Sequence, residues 1–487
     1  MKSILIAVAL LFAVGTQAAE SNGWLVKLKN NRSLQNFSFE MNRSGVKIND
    51  LKLANWVKLD ISDAEAQLLK QHSDVLIVER NATLKLQTNI EVHDPVLRQQ
   101  IQEHMDVQQA LGLFSERGTV DNPEIPLTIT GGSGSDPLLN KKWGMTDNDV
   151  QGAWNASGSK GSEQVIVAVI DTGIDYTHED LRDNMWRNPG EVGKDANGAE
   201  RATNGIDDDG NGFIDDVIGW DFGRGDNKPY DLHKSGFALL TGGNPGHGTH
   251  VAGNVAATGD NGKGVAGVAP NVKIMAMRFL TEEGSGTTEG AISAIKYAVD
   301  NGAQILSNSW GSEGDGDDKE ASQALQDAIQ YSMDKGTLFV AAAGNGRQGK
   351  GYDNDSDSKP AYPASYSHDN IISVAAVDKT DQLGSFSNWG RNTVDIGAPG
   401  VAVFSTVPDN AYQDTVINIP GLIVATWDGT SMAAPYVSGA AALYLSANPN
   451  ADWREIKAAI LSSATPISAL NGKSVSNGKL NVRKLMQ

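Results

Sequence analysis

Apolar and polar positions follow two different patterns along this chain, and the change from one to the other divides it. Trp24-Leu25-Val26-Lys27-Leu28 and Trp56-Val57-Lys58-Leu59 alternate apolar and polar residues, the pattern of half-buried strands. Ser62-Asp63-Ala64-Glu65 reads as a capping box, and Ala64, Leu68 and Leu69 give the helix behind it an apolar face. Val75-Leu76-Ile77-Val78 predicts one more strand, closing a small α+β unit near Leu86. A polar, Gln-rich stretch from about Asp94 to Leu113 predicts a helix. Gly131-Gly132-Ser133-Gly134-Ser135 then predicts a flexible linker and a domain boundary.

Beyond that boundary the apolar runs are continuous. Val165–Ile170, Val272–Met277, Ile305-Leu306, Leu338–Ala343 and Ile371–Val377 read as strands buried on both faces of a parallel sheet. Helical stretches at Glu289–Asp300 and Lys319–Lys335 lie between them, so the expected fold is α/β, a doubly wound, mainly parallel sheet. In such folds functional residues gather at the carboxyl ends of the strands. The small and apolar residues from Ala433 to Leu445 predict a buried helix, with Pro435 tolerated in a first turn whose N–H groups have no intrahelical partner.

Composition narrows the class. The chain has 487 residues and no Cys, so stability comes from packing or bound ions rather than disulfides. Residues 1–135 carry 13 basic and 15 acidic side chains, and residues 136–487 carry 27 and 44. The body therefore holds 27 − 44 = −17 of the net charge of −19. Such an acidic body argues against nucleic acid and anionic membranes as partners and is compatible with divalent cations. Lys2, the apolar core Ile4–Val14 and Gly15-Thr16-Gln17-Ala18-Ala19 form a secretory leader, cleaved after Ala18 with Ala19 as the alternative. No later stretch is long and apolar enough to span a bilayer. The expected product is exported and soluble, in the extracellular medium or a periplasm.

Four positions carry candidate chemistry. Ser431 opens the buried helix, where an N-terminal dipole favours developing negative charge. His247 begins His-Gly-Thr-His-Val-Ala-Gly; an imidazole is the natural general base near neutral pH. His247 and His250 are spaced i,i+3 with no Glu between them, unlike a zinc-protease helix. Asp171 ends the first buried strand and can hold an imidazole in one tautomer. Asn345 ends another, after Gly344, and its amide can donate to an oxyanion.

Asp171-Thr172-Gly173, His247–Gly253, Ala342-Ala343-Gly344-Asn345 and Gly429-Thr430-Ser431-Met432-Ala433-Ala434-Pro435 resemble, in the same order, the motifs of the subtilisin-like serine proteases. The resemblance covers roughly residues 136–487. It implies a serine endopeptidase in which Ser431 attacks, His247 moves the proton, Asp171 orients His247, and Asn345 with the Ser431 N–H binds the oxyanion. It implies that Gly284, Ser285 and Gly286 on one side and Ser309, Trp310 and Gly311 on the other hold substrate as an added strand, largely indifferent to its sequence. Gly344 belongs to the same substrate surface, and Ala361 falls at the base of the primary pocket, narrowing it. The organisation implied is a signal peptide at 1–18, an inhibitory ferredoxin-like prodomain at 19–92, a linker with a helical stretch and the processing region at 93–135, and a peptidase domain at 136–487. Partners are protein or peptide substrates and the chain's own prodomain, whose C-terminal segment would fill the cleft and be cut between about Leu86 and Asp136; the enzyme is expected to act as a monomer.

The segment between Asp171 and His247 is longer than in compact subtilisins. Asp207, Asp209 and Asn211 alternate ahead of Gly212 at the sixth position and Phe213, which offers its carbonyl at the seventh, as in an EF-hand loop, but Ile218 stands where the bidentate Glu belongs. Asp215 or Asp216 is expected to complete a structural Ca2+ site, since so many carboxylates repel without a cation. Asp395, with Tyr366 near it in sequence, resembles the family's weaker cation site. No organic cofactor is expected. The rival reading is a catalytically silent calcium-binding scaffold on the same fold, which requires a lost catalytic residue.

Overall fold

The computed structural model describes residues 22–86, 123–128, 131–234, 239, 242–312, 321–419 and 423–487. The expected leader and the helical stretch from about Asp94 to Leu113 lie outside them.

The alternating segments form a four-stranded sheet in the order β2-β3-β1-β4, from β1 (Trp24–Leu28), β2 (Ile48–Asp50), β3 (Trp56–Leu59) and β4 (Val75–Arg80), with antiparallel pairing throughout. Helices α1 (Asn31–Arg43) and α2 (Asp63–Leu69) accompany it. The capping box at Ser62 and Glu65 is present, so α2 begins where the side chains satisfy its orphan amides. Val26, Leu28, Phe37, Val57, Leu59 and Leu69 close a separate small core. A further strand, β5 (Thr83–Leu86), leaves this sheet and pairs elsewhere.

The second half carries a nine-stranded sheet. Seven of its strands, running from the chain's middle outward, are β6 (Ile166–Asp171), β7 (Gly219–Asp221), β8 (Lys273–Arg278), β10 (Ile305–Asn308), β12 (Leu338–Ala342), β13 (Ile371–Val377) and β14 (Ile396–Pro399). Their order is β14-β13-β12-β10-β6-β8-β7, every pair parallel. A short antiparallel pair, Thr465–Pro466 with Gly478–Lys479, finishes the β14 edge. Successive residues of β6 show why its run is uninterrupted: Val167 and Val169 enter one core, Ala168 and Ile170 the other. The first core holds α3 (His247–Ala256) and α6 (Thr430–Ala447); the second holds α4 (Thr288–Asp300) and α5 (Gln323–Asp334). Gly439 lets α6 sit close, because a Cβ there would stand 2.7 Å from Val268 Cβ.

Two expectations change here. Gly131–Ser135 is docked rather than slack: Gly134 N donates to Asp260 O (3.0 Å), and Gly262 N donates to Gly134 O (3.1 Å). At Gly132 a Cβ would meet Asn261 O at 2.6 Å, so the small residues serve close approach. Pro435 is the sixth residue of α6, beyond the turn whose amides lack partners. Its missing N–H frees the carbonyl of Ser431, four residues earlier, and the Ser309 hydroxyl donates to that oxygen at 2.9 Å.

Candidate active site

Asp171, His247 and Ser431 come from a strand end and two helix starts, and all three are completely buried. Asp171 Oδ1 accepts from the Thr172 N–H (2.7 Å) and pairs with His247 Nδ1 (2.7 Å). That pairing fixes the ring's tautomer, with the proton on Nδ1 and the lone pair on Nε2. Nε2 and Asp171 Oδ2 are buried and have no hydrogen-bond partner among the described residues. The close approach of strand and helix depends on Gly248, where a Cβ would lie 2.0 Å from Gly173 O. Asn244 Oδ1 accepts from the N–H groups of Gly246 (2.9 Å) and His247 (2.8 Å), capping the helix at its first residue.

Ser431 differs from the simplest expectation. Its hydroxyl donates to Ser309 O at 2.9 Å instead of to His247, and Ser309 reciprocates toward the Ser431 carbonyl. Asn345 follows β12 across Gly344, whose φ of +107° is open chiefly to glycine. Asn345 Oδ1 accepts from Thr430 N and Thr430 Oγ1, both at 2.9 Å, so the amide's donor end is Nδ2. His250 packs rather than reacts: its Nε2–H donates to Val403 O (2.9 Å), and its ring stacks on Trp427 at 4.2 Å. Burial holds His250 well below the usual imidazole range, hence neutral.

The cleft beside these residues contains a strand. β5 lies between β9 (Ser285–Thr287) and β11 (Trp310–Gly311) in a three-stranded antiparallel sheet. Leu84 faces Gly286, Lys85 lies between Ser285 and Gly311, and Leu86 faces Trp310 while its N–H donates to Gly284 O (3.0 Å). Leu84 is buried in the core that holds Phe279 and Trp310. Gly344 and Ala361 adjoin, a Cβ on the former falling 2.8 Å from the latter's. The small α+β unit also reaches the ends of two helices. Glu79 accepts from Ser322 Oγ (2.6 Å) and from the Gln323 and Ala324 N–H groups (3.0 and 3.1 Å), capping α5. Asn81 Oδ1 accepts from Glu289 N (2.8 Å) at the start of α4.

The carboxylates of the acidic loop fall into two groups. Asp207 spends both oxygens on the loop's own amides, those of Gly210, Asn211 and Gly212. Asp215 turns to the Gly205 N–H, and the ring of Phe213 packs on Trp220, Phe222 and Tyr297. Asp209 and Asp216 instead converge with Glu191, with one oxygen of each within 4.8 Å of the others, and Asn211 Nδ2 reaches both aspartates. Glu191 is fully buried, and its Oε2 has no partner. Burial, with Asp216 and Asp209 adding repulsion, pushes its carboxyl up to about 7. Glu191 escaped sequence reasoning because it lies outside the acidic run. Asp395 joins no such group: Lys457 Nζ lies 3.3 Å from its Oδ1, and the Ser373 N–H donates to Oδ2. The ammonium already supplies the positive charge, and the Tyr366 hydroxyl is engaged with Ser322.

Residues 162–481 match the family model described as "Subtilase family". A thermophilic serine proteinase of Bacillus sp. (strain AK1) is 36% identical over 357 residues, covering 71% of this chain and 69% of that protein. Thermitase of Thermoactinomyces vulgaris is 33% identical over 354 residues, covering 72% of this chain and 99% of thermitase. Among solved structures, fervidolysin of Fervidobacterium pennivorans, titled a keratinolytic enzyme related to subtilisin, shares the fold with a TM-score of 0.65. That match is 24% identical and covers 97% of this chain and 62% of the other.

Proposed function

Because the chain belongs to the subtilase family and is a serine endopeptidase, we propose that Ser431, His247 and Asp171 carry its reaction and that it is made as an exported, self-processing zymogen. For attack, Ser431 turns its hydroxyl from Ser309 O to His247 Nε2, the partnerless nitrogen. The Oγ–C bond forms as Nε2 takes the proton, and Asp171 holds the resulting imidazolium by its Nδ1–H. Asn345 Nδ2 and the Ser431 N–H, in a helix turn without intrahelical acceptors, receive the oxyanion. The C–N bond breaks as the imidazolium returns its proton to the leaving amine. Water, deprotonated by the same nitrogen, then hydrolyses the acyl-enzyme. A silent scaffold would lack one of these groups; all are present.

One observation carries the zymogen reading: β5 pairs with β9 and β11 as a substrate strand would, and its pairing reaches Leu86 opposite Trp310. The next residue of the β11 side is Ser309, whose carbonyl carries the Ser431 hydroxyl. With β5 seated there, the first cut is expected beyond Leu86, between Leu86 and Asp136. The test compares wild type with Ser431→Ala by N-terminal sequencing of the secreted chains. Wild type is expected to show a first new terminus between Leu86 and Asp136, and the variant to stay joined. A joined wild type that fluorophosphonate also leaves unlabelled at Ser431 would overturn the reading. Export rests on the Lys2–Ala19 pattern; among the described residues no helix is long and apolar enough to cross a membrane. Cell fractionation assigns periplasm or medium, and sedimentation tests the expected monomer.

We further propose a structural Ca2+ held by Glu191, Asp209 and Asp216. The buried, partnerless Glu191 Oε2 fits a cation, and hard oxygen donors suit Ca2+. Bound there it would tie the loop to the segment before it, with no part in bond cleavage. In the Ser431→Ala chain, saturating Ca2+ is expected to raise Tm by about 5 °C, and Glu191→Gln to abolish the rise.

A further inference from the structure

A second buried carboxylate stands behind the Asp171–His247 pair. Asp231 is completely buried and, among the described residues, pairs with no cation; it is bound by four donors. Its Oδ1 accepts from Thr172 Oγ1 (2.8 Å) and Asn244 Nδ2 (2.6 Å), and its Oδ2 from Thr249 N (2.9 Å) and Thr249 Oγ1 (2.6 Å). Each donor is itself tied to the site. Thr172, the residue after Asp171, accepts from the Gly248 N–H at 2.9 Å. Asn244 caps His247, and Thr249 Oγ1 receives the Asp175 N–H at 2.9 Å. One carboxylate thus links the residue following Asp171 to the residues flanking His247.

Four inbound donors suit an acceptor-only, ionised group, and the start of α3 provides positive potential for it. Burial raises the Asp231 carboxyl above the usual carboxylate range, and the bonds from Thr249, Asn244 and Thr172 oppose the rise without cancelling it. The titratable groups around this lattice are Asp171 on β6, Asp175 and Tyr230 on the adjoining loops, and His247 and His250 on α3. All other neighbours that bind Asp231 are neutral.

We propose that Asp231 is a positioning residue for peptide hydrolysis, fixing the separation of Asp171 and His247 and adding a second negative charge that favours the imidazolium. The proposal rests on the assignment of those two residues as orienting acid and base. A carboxamide at position 231 keeps the shape, turns an N–H2 toward groups that donate, and removes the charge.

The experiment uses the full chain, processed by itself or, where slow, by wild type in trans. Peptide hydrolysis is followed across the acid limb of the pH profile for wild type, Asp231→Asn and Thr172→Val. Asp231→Asn is expected to lose about tenfold or more in kcat at nearly unchanged KM. Its acid limb should move to lower pH by about one unit, since less negative charge favours the imidazolium less. Thr172→Val breaks the link but keeps the charge, so kcat falls and the limb stays. An Asp231→Asn enzyme with a wild-type limb, whatever its kcat, overturns the proposal. If that variant does not fold, wild-type kcat in Thr172→Val overturns it. Absence of fluorophosphonate labelling at Ser431 in wild type identifies a failure of the underlying assignment instead.

Discussion

Asn345 and Lys142 show what single side chains do, one for the reaction and the other for the stability of the fold. With Oδ1 committed to Thr430, Asn345 has only its amide hydrogens to offer a developing oxyanion. Asn345→Ala is expected to lower kcat by about 10²–10³ with KM little changed, measured on a peptide ester and a peptide amide. Lys142 is fully buried, and its Nζ donates to Gly253 O (3.2 Å) and Ala266 O (3.1 Å), bracing the end of α3. Burial lowers its ammonium to about 7. The native state then holds fewer protons than the unfolded chain between about 7 and the ordinary lysine value. Stability therefore rises with pH across that window, by up to about 1.4 kcal/mol per unit, and the contribution is lost as pH falls through 7. Denaturant unfolding of Ser431→Ala chains should show this slope, and adding Lys142→Met should remove it.

At the scale of elements, the handshake between β10–β11 and α6 exists because Pro435 cannot donate. Ser309→Ala leaves the buried Ser431 carbonyl without its donor and should destabilise by about 1–3 kcal/mol. Adding Pro435→Ala supplies an N–H to that carbonyl, so the double variant should be less destabilised than the sum, a coupling that denaturation can measure. Glu79 works across domains: three donors at the start of α5 converge on its carboxylate. Under the proposed inhibition, Glu79→Gln in a separately added residue 19–92 segment should weaken inhibition of the mature enzyme about ten- to hundredfold.

What was legible in the sequence follows from how far apart cooperating residues lie. The apolar runs and the blocks around Asp171, His247, Asn345 and Ser431 are local patterns, and each falls at a strand end or helix start as read. Asp231 and Glu191 are single acids whose partners come from other segments, 59 residues away for Thr172 and 25 for Asp216. No periodicity marks them. Asp207 and Asp215 match a ligand spacing, and their oxygens also accept from nearby backbone amides. Asp395 meets Lys457 only because the helix Trp453–Ser463 packs back toward the sheet edge.

For the whole molecule, the division of charge has a structural counterpart. The acidic body is braced at its second core by a small unit whose own polar atoms start two of its helices. Under the proposed processing, a cut beyond Leu86 would remove that unit's covalent tie but not the contacts of Glu79, Asn81 and β5, so release would be a step separate from cleavage. The strand in the cleft also sets a rule for what can replace it. Its grip is main-chain pairing along four residues on the β9 edge and two on the β11 edge, with the Leu84 side chain sunk in the core that holds Trp310. A helix or a turn cannot present that edge; only locally melted chain can. The enzyme thus reads the folding equilibrium of its prey, and digestion of a native protein should keep pace with how often that protein opens.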